Sequence, residues 1–325
     1  MKEEKYSGID YLRAIACIGI VMMHMMANNN YALAGFAADR LIPSFTNFVF
    51  LFMTISAFGM CCGYYKKVLS GAVNWTEFYK KRYLRILPFF AVLVVIDLVV
   101  NFSLGSLYEG IADISLLFGL FPNDIKVIGV GWFLGLVFVF YLIFPFYCVL
   151  LENKKRAWIA FAASLVLNYV CGSYFAIDRR NIVFSLCFFL AGGLIYLYRD
   201  AVERSNRFVL LIITVIATVL YYLLGANTCT ILFLSSALLV AAISFSKILK
   251  LPWIVSFISG ISMEIYLSHM VIFRAIEKVH LNTCVGNGWV QYCITTILVI
   301  AGTIMFSVVV KSVINKLMKK IGSAS

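Results

Sequence analysis

Apolar residues run through this chain in stretches long enough to cross a lipid bilayer. A spanning helix needs about 20 mostly apolar residues, because the hydrocarbon core is about 30 Å thick. Ten stretches approach or meet that requirement, at residues 9–27, 43–65, 84–103, 129–151, 157–176, 182–198, 208–225, 229–246, 252–275 and 288–314. Little chain is left for a soluble domain. The pattern therefore predicts an all-α, polytopic membrane helical bundle of about ten transmembrane helices, with residues 1–325 forming one membrane-embedded domain.

Composition agrees with this prediction and adds an orientation. Hydrophobic residues make up 63% of the chain and charged residues 13%. If the N-terminus is cytoplasmic, 21 of the 27 Lys and Arg residues fall on the cytoplasmic side and six on the outer side. The positive-inside rule expects this imbalance for ten spans with both termini cytoplasmic. The net charge of +12 follows from the same bias, so membrane lipids are the expected surroundings and nucleic acid is not an expected partner.

Two further sequence features narrow the class of protein. The first stretch carries Arg13 and His24 and is followed by no small-residue cleavage site, so we expect a retained helix rather than a cleaved signal peptide. The nine cysteines are scattered, without a CxxC pair or a His–Cys spacing suited to a metal. We therefore expect no metal site.

The longest predicted outer connection covers residues 104–128. Its apolar piece, residues 114–121, is too short to span the bilayer and ends before Pro122. We expect an interfacial or re-entrant segment that could cover an outer cavity.

Arg13 and His24 lie on one face of the first predicted helix. Eleven steps of about 100° return the helix to within about 20° of its starting direction, about 16 Å further along its axis. A guanidinium can hold an anion at the membrane surface, and an imidazole can act as a general base near neutral pH. The alternatives are a snorkelling arginine and a histidine that bonds a neighbouring helix. Asp10 is expected to pair with Arg13 or to complete a capping box with Ser7.

A basic cluster marks the start of the third stretch. Arg82 and Arg85 share a helix face at i,i+3, next to Lys81. Because a guanidinium binds phosphate through two parallel hydrogen bonds, this pair suits a polyphosphate ligand on the cytoplasmic side. Anchoring to lipid headgroups is the alternative. Pro88 is expected in the first turns of the helix.

The ninth stretch carries a polar stripe. Ser262, Tyr266 and His269 are spaced four and three residues apart, so they share one helix face. They could line a wet cavity for a hydroxylated ligand or form interhelical hydrogen bonds. Glu264 and Asp97 also lie in apolar stretches, and each requires a partner.

Five motifs occur in order along the chain. They are residues 10–13 followed by His24, 52–59, 79–88, 131–134 with 141–145, and 262–269. Together they resemble the acyltransferase-3 family of integral membrane O-acyltransferases over nearly the whole chain. Two positions depart from the family pattern: Ala57 replaces a glycine, and Lys81 replaces an arginine, which keeps the charge but loses a fork.

The resemblance implies transfer of an acyl group, most often acetyl, from cytoplasmic acyl-CoA to a hydroxyl of a cell-envelope carbohydrate or glycolipid. It also implies a multi-pass protein of the bacterial cytoplasmic membrane. The residues implied are His24, Arg13 and Asp10 for catalysis, Lys81, Arg82 and Arg85 for acyl-CoA, and Trp132, Ser262, Tyr266 and His269 for the substrate. Direct attack by the alcohol and an acyl-His24 intermediate both remain open.

Two other functions are compatible with the residues alone. A transporter or flippase could use Arg13, His24 and Glu264 as a proton or substrate path. A membrane sensor or serine-uptake module is the third possibility. Neither would release CoA from an acyl-CoA.

Overall fold

The computed structural model describes residues 6–116, 118–120 and 127–322. Its helices, labelled here in chain order, are α1 (Ser7–Ala27), α2 (Ala37–Leu69), α3 (Trp75–Val100), α4 (Leu104–Ile114), α5 (Trp132–Glu152), α6 (Lys154–Tyr174), α7 (Ile182–Leu197), α8 (Arg199–Arg204), α9 (Arg207–Leu224), α10 (Thr228–Phe245), α11 (Trp253–Gly260), α12 (Ser262–Lys278) and α13 (Trp289–Gly322). The described residues contain no β-strand.

The helices confirm the predicted membrane bundle. Within the described ranges, eight spans are long and apolar enough to cross a membrane, and α11 with α12 forms a further span bent by 69°. The apolar helix α7 is shorter, at 16 residues. Each of the ten predicted stretches coincides with one of these elements.

Side-chain contacts place the two ends of the described chain at the same end of the bundle. The Ser7 hydroxyl donates to the carbonyl of Ser246, just after α10, over 2.8 Å. Lys311 on α13 pairs with Glu264 in the first turn of α12. Both ends of the described chain therefore belong to one side of the bundle, called here the N-terminal face, which the charge pattern predicts to be cytoplasmic. The opposite side is the far face.

Asparagine side chains define where several helices begin. An N-cap side-chain oxygen accepts a hydrogen bond from a backbone N–H that has no partner within the helix. The asparagines in this role are Asn74 for α3, Asn153 for α6, Asn181 for α7, Asn206 for α9 and Asn227 for α10. Local sequence thus sets the starts of five helices.

The start of α1 differs from the predicted capping box. Tyr6 occupies the N-cap position and provides no side-chain cap. The Ser7 hydroxyl donates to Ser246 and Leu249 carbonyls, and the Gly8 N–H donates to the Ser246 hydroxyl over 3.0 Å. The capping-box prediction was wrong because contacts with the α10–α11 connection occupy this first turn.

Helix α3 begins nine residues before the apolar stretch that predicted it. Its first turns are polar, so hydropathy missed them, but the Asn74 cap starts the helix at Trp75. The basic cluster therefore lies inside the helix, and Pro88 lies in its interior. The placement of Pro88 in the first turns was wrong, and its missing N–H removes one helical hydrogen bond.

The connection after α3 returns into the bundle from the far face. The Tyr83 hydroxyl donates to the carbonyl of Ser115 over 3.1 Å. Phe118 stacks on Phe90 with ring centroids 5.8 Å apart. These α3 residues lie about 25 Å and 15 Å before the helix end, at about 1.5 Å per residue. For residues 104–116 and 118–120, these contacts agree with the re-entrant alternative. The remaining residues of the predicted apolar piece, 117 and 121, lie outside the described residues.

Glu264 and Asp97, for which the sequence analysis identified no partner, each have a partner in the structure. Glu264 is buried, and its carboxylate lies 2.7 Å from the Lys311 ammonium. Asp97 accepts a hydrogen bond from the Asn101 side-chain amide over 3.2 Å. Both interactions are local or structural, so neither acid is required to face a ligand.

Glu264→Gln is expected to lower the free energy of unfolding by about 2 kcal/mol. Breaking a fully buried ion pair costs about 3–5 kcal/mol, and the cost is smaller here because water reaches Lys311, whose side chain is 36% exposed. Thermal unfolding in detergent measures the change. Lys316→Gln, one turn further along α13 and exposed, is the matched control, and equal losses in both variants would contradict the structural role of the pair.

Gly192 marks a close crossing of α7 over α2. A Cβ at this position would overlap the Thr54 carbonyl oxygen and lie 2.8 Å from the Ala57 Cβ. Gly192→Ala is therefore expected to destabilise the protein by about 1–3 kcal/mol through overpacking. Gly172→Ala on α6, where the added Cβ would lie 3.9 Å from the Ile177 carbonyl oxygen, should show no such loss in the same thermal measurement.

Candidate functional site

A cavity of about 540 Å³ lies among α1, α2, α3, α5 and α12. Its size falls in the range of small-molecule sites. Tyr6, just before α1, is one of its lining residues, so the cavity extends to the N-terminal face. Each helix contributes residues at helical spacing, such as Phe52, Ser56 and Gly59 on α2 and Phe133, Val137 and Tyr141 on α5. One face of each helix therefore forms each wall.

The wall formed by α2 includes a π-helical turn, Cys61–Tyr65. Such turns accommodate an extra residue and often occur at functional sites. Here Cys62, Gly63 and Tyr64 line the cavity. At Gly59, one turn earlier, the nearest neighbour of an added Cβ would be Arg13 Nη2 at 3.6 Å. Small residues and the π-helical turn thus leave room for the Arg13 side chain.

The lining of the cavity is positively charged. Arg13, Arg82 and Arg85 contribute three guanidinium groups, and Asp10 contributes the one carboxylate among the described lining residues. One Asp10 oxygen accepts a hydrogen bond from the Ser259 hydroxyl over 2.6 Å. The cavity is therefore suited to an anionic ligand.

Aromatic rings hold the Arg82 guanidinium in place. Its central carbon lies 4.8 Å from the Tyr64 ring centroid and 5.3 Å from those of Phe78 and Tyr141. Cation–π contacts of this kind orient a guanidinium without neutralising it. The charge of Arg82 thus stays available to a ligand in the cavity.

Two predictions for the N-terminal end do not match the structure. Lys81 is exposed and is not among the lining residues, because it lies on a different face of α3 from Arg82 and Arg85. Asp10 forms no ion pair with Arg13 within 4 Å. Its bond to Ser259 instead joins α1 to α11, next to the bend before α12.

Three aromatic side chains line the cavity in the direction of the far face. Phe133 lies 6.4 Å from Phe52 and 5.7 Å from Tyr266, measured between ring centroids. These three rings are called here the aromatic constriction. The Tyr266 hydroxyl donates to the carbonyl of Val130 over 2.8 Å. This bond fixes the ring and occupies its donor.

The polar stripe on α12 divides into two parts. Ser262 and Tyr266 line the cavity as predicted, although the Ser262 hydroxyl donates to the Ser259 carbonyl over 2.9 Å. His269 is fully buried and does not line the cavity. Its Nδ1 lies 2.6 Å from the Tyr266 carbonyl oxygen, which requires a proton on Nδ1. His269 therefore lies outside the cavity lining, and its contact with substrate stays a prediction.

His24 lies beyond the constriction, in the last turn of α1. Its ring centroid is 4.9 Å from that of His269, which in turn is 6.1 Å from that of Tyr266. His24 is partly exposed and is not among the residues that line the cavity. Because α1 ends at Ala27, the imidazole lies nearer the far face than the N-terminal face. Arg13 and His24 therefore lie at opposite ends of the same helix.

Arg179 is a residue near His24 that the sequence reasoning did not select. It lies in the α6–α7 connection, and its Nη1 donates to the Thr46 hydroxyl over 2.9 Å. Its guanidinium lies 5.4 Å from the ring centroid of Trp132, which begins α5 at the far face. Burial lowers the pKa of Arg179. The available signal was its position among the few basic residues on the predicted outer side.

Trp132 is placed by the same contact. It begins α5 at the far face and packs under Arg179 instead of lining the cavity. Among the predicted substrate residues, His269 lies beside His24 and Trp132 lies against Arg179, whereas Ser262 and Tyr266 line the cavity.

Comparison with known proteins gives one match. A family model described as an acyltransferase domain matches residues 6–308, nearly the whole chain. No curated protein and no solved structure matches the chain significantly.

Proposed function

We propose that this chain, which belongs to the acyltransferase-3 family, transfers an acyl group from cytoplasmic acyl-CoA to a hydroxyl of a cell-envelope carbohydrate or glycolipid. We further propose acetyl as the group and the bacterial cytoplasmic membrane as the location. The observation that carries the proposal is the arrangement along α1. A cationic cavity surrounds Arg13 at one end, and an imidazole lies at the other.

The proposed donor suits the cavity. Coenzyme A carries several phosphate charges, and guanidinium groups bind phosphate through paired, charge-assisted hydrogen bonds. Arg13, Arg82 and Arg85 supply such groups, and the rings beside Arg82 supply apolar contact area. The thioester end of the donor would then extend towards the far face.

The donor must pass the aromatic constriction to reach His24. Phe133 and Tyr266 lie between the cavity and the two histidine rings. We propose that these rings shift when acyl-CoA binds, so that the thin pantetheine arm passes between α2, α5 and α12. Once the arm has passed, the rings packed around it would keep water from the thioester.

His24 would act on the acceptor hydroxyl. In direct transfer, the imidazole takes the hydroxyl proton as the oxygen attacks the thioester carbonyl, the C–S bond breaks, and the proton passes to the CoA sulfur. In the acyl-enzyme route, the imidazole nitrogen first displaces CoA and the alcohol then displaces the imidazole. The thioester oxyanion needs a hydrogen-bond donor, and we propose the Trp132 indole N–H for this role, because Ser262 and Tyr266 already donate to carbonyls.

The transporter alternative loses one of its elements. Its proposed path combined Arg13, His24 and Glu264, but Glu264 pairs with Lys311 and is not among the cavity-lining residues. An acid held in a structural ion pair does not supply a proton path between the other two groups.

Purified protein in lipid nanodiscs, supplied with acetyl-CoA and envelope glycolipid, tests the proposal. We expect CoA release coupled to ester formation, detected with a thiol reagent and by mass spectrometry. Mass spectrometry of envelope glycans from deletion and wild-type cells should show one missing ester. Absence of CoA release with every acyl-CoA, together with substrate flux across the membrane, would favour a transporter.

A further inference from the structure

Among the described residues, the Arg179 guanidinium forms no direct ion pair, since Asp178 pairs with Arg180 and acts on Arg179 only at longer range. In the part of the chain that the structure describes, no carboxylate lies within 4 Å of its guanidinium, whereas the far-face residues Arg180 and Arg274 pair with Asp178 and Glu277. The Thr46 hydroxyl accepts one of its five N–H groups. Arg179 therefore has donors left for another partner.

The surroundings of Arg179 fix the direction of the guanidinium. The Trp132 ring lies against it at 5.4 Å, and Thr46 on α2 holds Nη1 at 2.9 Å. These contacts come from two helices, α2 and α5. They hold the Arg179 side chain in one direction, as expected for a residue that binds a ligand, and keep it from extending freely into solvent. A partly buried guanidinium without a counter-ion is costly, and an incoming anion would offset that cost.

His24 adds the chemical context. The Trp132 ring, against which Arg179 rests, lies 6.1 Å from the Phe133 ring. Ring contacts continue from Phe133 through Tyr266 and His269 to the His24 imidazole, which we propose to activate the acceptor hydroxyl. An acceptor bound through an anionic group at Arg179 would therefore have its neighbouring hydroxyl groups beside the reactive ring. Holding the two reactants in this way is a large part of the catalytic advantage of an active site.

We propose that Arg179, resting on Trp132 and Thr46, binds an anionic group of the acceptor, a carboxylate or a phosphate, and so positions its hydroxyl at His24. The inference rests on the proposed function and narrows its substrate class. The acceptors would be acidic sugars or phosphorylated glycolipids in preference to neutral glycans.

Protection of His24 from diethyl pyrocarbonate tests the inference without turnover. The probes are methyl β-D-glucopyranosiduronate and methyl β-D-glucopyranoside 6-phosphate, each compared with neutral methyl β-D-glucopyranoside at equal ionic strength. Modification is read at the His24 peptide by mass spectrometry. At least one anionic sugar should give half-protection at about one tenth of the neutral sugar's concentration, equivalent to about 1.4 kcal/mol.

Variants decide whether Arg179 is responsible. Arg179→Ala should abolish this discrimination, Arg179→Lys should retain part of it, and Arg40→Ala, another far-face variant, should retain all of it. Because the ratio is taken within each variant, a change in the intrinsic reactivity of His24 does not affect it. Equal protection by all three sugars, no protection by either anionic sugar, or discrimination that survives in Arg179→Ala would overturn the inference.

Turnover separates failure of this inference from failure of the proposed function. With acetyl-CoA present, Arg179→Ala should raise the KM for the anionic acceptor, and the far-face control Arg40→Ala should leave that KM unchanged. A wild-type protein that never releases CoA would refute the acyltransferase proposal. A uniform loss of kcat with neutral and anionic acceptors would instead make Arg179 an oxyanion donor and overturn its role in acceptor selection.

Discussion

Replacement of His24 with alanine is expected to abolish acyl transfer and to leave acyl-CoA binding intact. A positioned general base contributes about 10²–10⁴-fold to the rate, and no other partly exposed histidine lies beside His24 among the described residues. Its neighbour His269 is fully buried, with Nδ1 committed to the Tyr266 carbonyl. CoA release in the presence of acceptor measures the loss, and titration with acetyl-CoA measures the binding.

His280→Ala is the matched control for this prediction. His280 is the third histidine of the chain and lies exposed in the connection after α12. It should keep full activity. Transfer that persists within tenfold in His24→Ala, with an unchanged thermal unfolding temperature, would remove His24 from the mechanism under either the direct or the acyl-enzyme route.

The bundle itself could be predicted because each element carries its own signal. Apolar stretches located the eight long spans, the bent span and the shorter α7, and asparagine caps explain the starts of five helices. Hydropathy failed where a helix extends beyond the apolar core. The polar turns of α3 after Asn74 are helical, and only the cap marks them.

The cavity could be predicted in part, since residues on one helix face stay together. Arg82 with Arg85, and Ser262 with Tyr266, line it as their spacing indicated. Lys81 does not, because one residue is a rotation of about 100° around α3. Helical spacing sets the direction of a side chain, but it does not set how far along the bundle the cavity extends.

The far-face environment depends on contacts between segments that are distant along the chain, so little of it could be predicted from sequence. Arg179 meets Thr46, 133 positions away along the chain. His24 and His269 meet through packing of α1 against α12. No spacing rule links such pairs, so the group around His24 became visible only in three dimensions.

The separation of the two ends has a mechanistic consequence. The donor charges would bind near Arg82 and Arg85, while bond making would occur near His24, with the aromatic constriction between them. Substitutions at the N-terminal end should therefore change donor affinity, and substitutions at the far end should change the chemical step or acceptor selection. This division gives the two ends distinguishable kinetic signatures.

Arg82→Ala is accordingly expected to weaken acetyl-CoA binding about tenfold and to leave the rate at saturating donor within about twofold of the wild type. Loss of a charge-assisted hydrogen bond to phosphate costs about 1.5–3 kcal/mol, and each 1.4 kcal/mol is a factor of ten in Kd. Calorimetric titration with acetyl-CoA measures the affinity, and CoA release measures the rate.

Two variants serve as controls. Lys81→Ala removes the same charge from the neighbouring, exposed position and should leave the affinity and the rate unchanged. Arg82→Lys should recover only part of the affinity, because the planar fork is lost. Equal weakening in Arg82→Ala and Lys81→Ala would show that general charge at this face, and not the guanidinium held among Tyr64, Phe78 and Tyr141, attracts the donor.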